Sequence, residues 1–124
     1  MSKLLKTTFI LHAIVATVLG APLLVIPGVF LQTLGWSPID PILSRLLGAA
    51  LLALAWSSFR GWRATEWAQV AILVEVEIVY TILGCIGLLR HLLFAGYPAI
   101  VWLNLVVLAV FAIAWIACWS KRKK

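Results

Sequence analysis

Charge is what this chain has least of. Ten of its 124 residues are Lys or Arg and four are Asp or Glu, 11% in all, where a water-soluble domain carries about a quarter. That scarcity excludes an ordinary soluble fold. Cysteine is nearly as rare, with two residues, Cys85 and Cys118. They fall at different depths of the expected fold and are too far apart to bridge, and no C-x-x-C is present, so both read as buried thiols and dithiol redox chemistry has no support. G-x-S-x-G, H-E-x-x-H and the P-loop are missing too, so no motif points to an enzyme. The two histidines cannot grip one haem, because His12 falls in one half of the expected membrane and His91 at its opposite rim. No metal or other cofactor is implied. There is no Ser/Gly-rich or acidic linker, internal repeat or low-complexity tract, so residues 1–124 read as a single domain.

What the chain does have is apolar sequence, 65% of its residues. Crossing a bilayer as a helix takes about 20 mostly apolar residues, and four segments qualify, about 4–26, 41–59, 67–89 and 98–119. The expected fold is therefore all-α, an integral membrane four-helix bundle, multi-pass in the cell membrane, with the lipid bilayer as its first partner. The first segment is long for a signal peptide and no A-x-A site follows it, so it is expected to stay as a span.

The net charge of +6 is distributed unevenly. Lys3 and Lys6 precede the first span, Arg60 and Arg63 lie between the second and third, and Lys121, Arg122, Lys123 and Lys124 follow the fourth. Four crossings put these eight on one side and leave Arg45 and Arg90 on the other. The positive-inside rule then places both termini in the cytoplasm, with the terminal K-R-K-K as an anchor against anionic headgroups. No basic face with interleaved aromatics lies outside the spans, so no nucleic-acid partner is expected.

Local signals divide the chain. Pro27-Gly28 should stop the first helix, and residues 29–36 read as a short amphipathic piece at the interface. Asp40 suits an N-cap and Pro41 the first helical position. Ser44, Gly48, Ala55 and Ser58 fall near one face of the second helix, where a neighbouring backbone could approach closely. Phe59-Arg60-Gly61-Trp62-Arg63 reads as a tight turn, and Gly96-Tyr97-Pro98 restarts the chain into the last helix. Trp36 and Trp102 mark one membrane boundary, and Trp62, Trp67, Trp115 and Trp119 mark the other, as an aromatic belt. Trp56 has no assignment.

The stretch ILVEVEIVY, residues 72–80, carries two acids inside an apolar run. With a rise of about 1.5 Å per residue counted from Trp67, Glu75 lies about 12 Å deep and Glu77 about 15 Å, close to the midplane of a core about 30 Å thick. An acid at the centre of a span costs about 3 kcal/mol on insertion scales. The two side chains are about 200° apart around the helix, so they cannot form a paired-carboxylate site by themselves. Glu77 shares its face with Tyr80, Thr81, Gly84 and Leu88, which should point inward. Glu75 shares its side with Val79, Ile82 and Ile86 and needs its own partner: His12, at a matching depth of about 12 Å, a subunit interface, or lipid. Asn104 falls near the level of Tyr80, and Arg45 enters from the outer end of the second helix. Glu77, Glu75, His12, Tyr80, Asn104 and Arg45 would thus form a sparse polar column.

The stretch PGVFLQTLGWSPIDPILSRLLGAALLALAW, residues 27–56, resembles small four-helix membrane proteins of the DoxX-like group. These show a proline after the first helix, an interfacial segment and an R-L-x-G-A-x-L-L-x-L-A helix, here Arg45-Leu46-Leu47-Gly48-Ala49-Ala50-Leu51-Leu52-Ala53-Leu54-Ala55. The likeness covers most of the chain. It implies four spans and, for some members, company with redox or stress-related membrane complexes. The Glu75–Glu77 pair matches no signature of that group. Small multidrug exporters share the four short helices and an embedded glutamate, but theirs is in the first helix and these acids are in the third.

These features lead to one principal expectation and two alternatives. The first is a small membrane protein that binds or moves a proton, a cation or a small polar-headed ligand through the column centred on Glu77. The alternative is an accessory subunit packed in a homo-oligomer or a larger membrane complex, its polar groups fixing helix contacts. A membrane-embedded enzyme comes last.

Overall fold

The computed structural model describes residues 1–122, so Lys123 and Lys124 of the basic tail lie outside the described residues. Among those described there are five α-helices, one 3-10 turn and no strand. Four of the helices are long and apolar enough to cross a membrane.

Helix α1 spans Lys3–Val25. Ser2 caps it, its hydroxyl accepting from the Leu5 N–H at 3.2 Å. Two prolines mark its last turn and its end. Pro22 has no N–H for the preceding turn, and Ile26, just before Pro27, sits at φ −131° and ψ 52°, out of the helix as a following proline favours. Pro27 then opens α2, Pro27–Thr33, at the position where a missing N–H costs nothing. The interfacial segment is therefore helical from Pro27, two residues earlier than the sequence suggested. It closes in a Schellman turn: Trp36 N–H donates to Leu31 O at 2.9 Å and Gly35 N–H to Gln32 O at 3.0 Å. That geometry puts Gly35 at φ +70°, which only glycine adopts without strain.

Helix α3 spans Pro41–Arg63. Asp40 caps it as its sequence position indicates, with Oδ1 accepting from Ile42 N at 2.9 Å and Leu43 N at 3.0 Å. The expected turn at residues 59–63 is instead the last part of this helix. Gly61 does not bend the chain. It makes room, since a Cβ there would fall 2.5 Å from the ring of Phe9. The reversal comes at Ala64–Glu66, followed by a 3-10 turn at Trp67–Gln69 that Glu66 and Gln69 close by reciprocal side-chain bonds. Helix α4 consequently begins at Ala71 and runs to Leu92. Helix α5 is Ala99–Ser120, starting after Pro98.

The helices associate mainly as two pairs, α1 with α3 and α4 with α5. The first pair is tight because glycines face each other. A Cβ on Gly48 would meet Leu24 N at 2.6 Å and Gly20 O at 2.8 Å, both rigid backbone. Ser44, Gly48, Ala55, Ser58 and Gly61 are the buried face of α3, and Ala13, Ala16 and Gly20 lie on the buried face of α1. Gly48→Ala is expected to force these backbones apart and cost about 1–3 kcal/mol, read as a lower unfolding temperature in detergent. An unchanged midpoint would refute the close crossing.

The start of α1, the end of α5 and the 64–70 connection meet at what we term the terminal end; Ile26–Asp40 and Leu93–Pro98 meet at the far end, where Gly35 approaches Pro98. The densest core is at the terminal end, where Leu5, Phe9, Val70, Val74, Trp115 and Cys118 pack together. Trp115 is a correction to the aromatic belt. It is fully buried, edge-on to Phe9 with centroids 4.9 Å apart. Outside this core, large apolar side chains stand exposed along the long helices, among them Val18, Ile72 and Ile113 at 63%, 70% and 69%. Lipid accommodates such a surface and water does not.

Candidate functional site

Three helices bring one polar cluster together just above the terminal-end core. His12 from α1, Ser58 from α3 and Glu77 from α4 are all buried, at 5%, 0% and 1% exposure. The phase of each helix explains why. Glu77 continues the inward row Val70, Val74, Glu77, Thr81, each three or four residues from the last and all buried. Ser58 follows Ala55 on the small-residue face that packs on α1. His12 sits between Phe9 and Ala16 on the opposing face.

The His12 Nδ1 atom lies 2.8 Å from Ser58 Oγ and 3.3 Å from Glu77 Oε1. The Ser58 hydroxyl donates to the same Oε1 at 3.4 Å. With Glu77 as a carboxylate the hydroxyl proton goes to it, and Nδ1 then carries the imidazole proton and can donate to both oxygens. The arrangement is no hydrolytic triad. Serine and carboxylate face one ring nitrogen, so the ring does not relay between them, and Ser58 is completely enclosed. Phe111 and Trp115 hold the imidazole edge-on, at centroid distances of 4.9 and 5.8 Å. Glu77 Oε2 and Trp115 Nε1 are buried without a hydrogen-bond partner among the described residues.

On its other side His12 forms part of the lining of a cavity of about 530 Å³. Helices α1 to α5 all contribute walls, and most of the lining is aliphatic or aromatic. The polar groups are few: His12, Ser44, Tyr80, Thr81, Asn104 and, toward the far end, Asp40. Ser44 and Thr81 spend their hydroxyl protons on their own helices, Ser44 to Asp40 O at 2.6 Å and Thr81 to Glu77 O at 2.7 Å. Tyr80 and Asn104, which also line the cavity, have no such bond among the described residues. Several lining residues, Ile14, Val18, Leu43, Leu47 and Leu103, are also exposed on the outer surface, so the cavity communicates sideways between helices.

The column expected from sequence is thus divided. Tyr80 and Asn104 share the cavity, with His12 at its edge and Glu77 directly behind. Glu75 is not there. It is exposed on α4, and His12 takes Glu77 as its carboxylate partner in its place. Arg45 is exposed on α3 and lines no part of the cavity. Glu77 is also not central in its helix. With α4 running 71–92, it lies about 7 Å toward the terminal end from the middle. Ser58 reads from sequence as a packing residue, and the signal of its further role is a hydroxyl on a face otherwise made largely of small residues.

No family model, curated protein or solved structure matches the chain.

Proposed function

We infer that this is a multi-pass protein of the cell membrane, a four-helix bundle that binds a small, mainly apolar ligand with one polar end. The observation that carries the reading is the side-opening cavity bordered by His12, whose imidazole is held by Ser58 and Glu77. Its volume, about 530 Å³, falls within the roughly 300–1,000 Å³ of small-molecule sites, and an apolar lining with few polar groups is their usual composition. The exposed lining residues suit entry from the bilayer. The dense core between Glu77 and the terminal end favours binding over a through-path for protons or cations.

The basic residues support cytoplasmic termini. Lys3, Lys6, Arg60, Arg63, Lys121 and Arg122 belong to the terminal end, whereas Arg45 and Arg90 belong to helix ends on the far side. The DoxX-like resemblance of residues 27–56 is part of the same proposal.

Thermal unfolding in detergent with dodecylamine and dodecanol, at acid, neutral and alkaline pH, tests the binding reading. At least one probe is expected to raise the midpoint of the wild type. Asn104→Phe, which fills the cavity, should abolish the rise, and Glu77→Gln should remove any preference for the amine. If neither probe shifts the wild type at any pH, the binding reading fails. Exposed Glu75, among Ile72, Val79 and Ile86, which are 70%, 56% and 60% exposed, favours the second reading, a subunit packed against another chain. In that case the protein purified alone should aggregate.

A further inference from the structure

A second groove opens at the terminal end, outside the cavity and on the other side of Ser58's helix. It measures about 650 Å³ and runs between the last turns of α3 and the start of α4. Arg60 and Arg63 stand at its rim with Gln69, and Trp56, Phe59 and Leu73 form its apolar part. Three positions on α3, residues 56, 60 and 63, share one stripe by helical spacing. Both arginines are exposed, and neither is paired with a carboxylate among the described residues. The nearest acid in sequence, Glu66, is occupied in closing the 3-10 turn. Trp56, Phe59 and Trp62 form a ladder up the same helix, with successive centroids 5.9 Å apart. Trp56 is 62% exposed.

Basic residues in the last turn also suit a helix's own C-terminal carbonyls. That role needs neither a groove nor an exposed aromatic ladder leading away from the charges. We propose that this groove binds one anionic phospholipid, its phosphate between Arg60 and Arg63 and an acyl chain along Trp56 and Phe59. Guanidinium groups recognise phosphate by directed, charge-assisted hydrogen bonds. A basic pocket at a membrane boundary, continued by apolar side chains along the span, matches a lipid's two chemistries at their proper spacing. Free phosphate would engage only the first. The proposal rests on the membrane-spanning reading and is independent of the cavity ligand.

The test is thermal unfolding in nonionic detergent with dioleoylphosphatidylglycerol, dioleoylphosphatidylcholine and inorganic phosphate. Phosphatidylglycerol should raise the midpoint more than phosphatidylcholine, and phosphate should leave it unchanged. Arg60→Gln with Arg63→Gln should weaken the phosphatidylglycerol effect roughly tenfold to thirtyfold in concentration. Lys121→Gln with Arg122→Gln should retain it. Equal shifts by both lipids, an equal shift by phosphate, or a full response in the double arginine variant would overturn the assignment. So would loss of the response in the Lys121/Arg122 variant. Flotation with neutral phosphatidylcholine vesicles separates the two levels. A protein that does not float loses the membrane reading and this proposal together, whereas one that floats without preferring phosphatidylglycerol loses this proposal alone.

Discussion

His12→Ala is expected to destabilise the protein by about 3 kcal/mol in detergent. The imidazole fills space between Phe111 and Trp115, and its removal leaves a void of the kind that costs about 2–5 kcal/mol for a large side chain. Ser58 and Glu77, both at 1% exposure or less, keep their bond to each other, so the lost contacts to His12 add only about 1 kcal/mol. Partial collapse of the neighbouring cavity keeps the total nearer the lower figure. A double-mutant cycle with Glu77→Gln should show coupling of about 0.5 kcal/mol or more. The same cycle with Glu75→Gln should be additive, because Glu75 is exposed on α4. Coupling to Glu75 with additivity at Glu77 would reverse the assignment of His12's partner.

The largest expected loss belongs to Trp115. It is fully buried, packs edge-on against Phe9 at 4.9 Å and borders His12. Trp115→Ala should cost about 3–5 kcal/mol and loosen the imidazole at the same time. Trp102→Ala is the matched control. Trp102 is 45% exposed, so its loss should stay within about 0.5 kcal/mol of the wild type, as for surface substitutions generally. Denaturation midpoints of the two variants, measured side by side, check the assignment. Similar losses would return Trp115 to the aromatic belt.

Why sequence reasoning misplaced Trp115 and His12's partner follows from which information is local. Four apolar runs are visible because each residue contributes its own hydropathy, and the start of α3 is visible because Asp40 and Pro41 act within one turn. Counting depth is different, because it needs the first residue of each helix. The sequence suggested Trp67 for α4, and the helix begins at Ala71, which moves both glutamates about 6 Å toward the terminal end. The signal for that shift was present in Glu66-Trp-Ala-Gln69, whose ends bond reciprocally. Gly61 was misread because glycine marks both turns and close packing, and only Phe9, 52 positions earlier, distinguishes them. The inward phase of Glu77 was legible from Thr81 and Gly84. Its meeting with His12 depends on how α1, α3 and α4 rotate against one another, and no single segment encodes that.

The ordering of the polar cluster along the chain has a consequence for biosynthesis. His12 leaves the ribosome first, and Ser58, its nearest partner, is 46 residues behind it. Glu77 is further back on the next long helix, and Trp115 and Phe111, which enclose the imidazole, arrive with the last. Each new long helix therefore meets a polar group that was made before it. A nascent chain halted after α3 would hold His12 by one hydroxyl, and one halted after α4 would hold the His12–Ser58–Glu77 cluster without its aromatic cover. The last helix to be made thus completes the enclosure of a residue made near the beginning, since the His12 ring is covered only once Phe111 and Trp115 are in place.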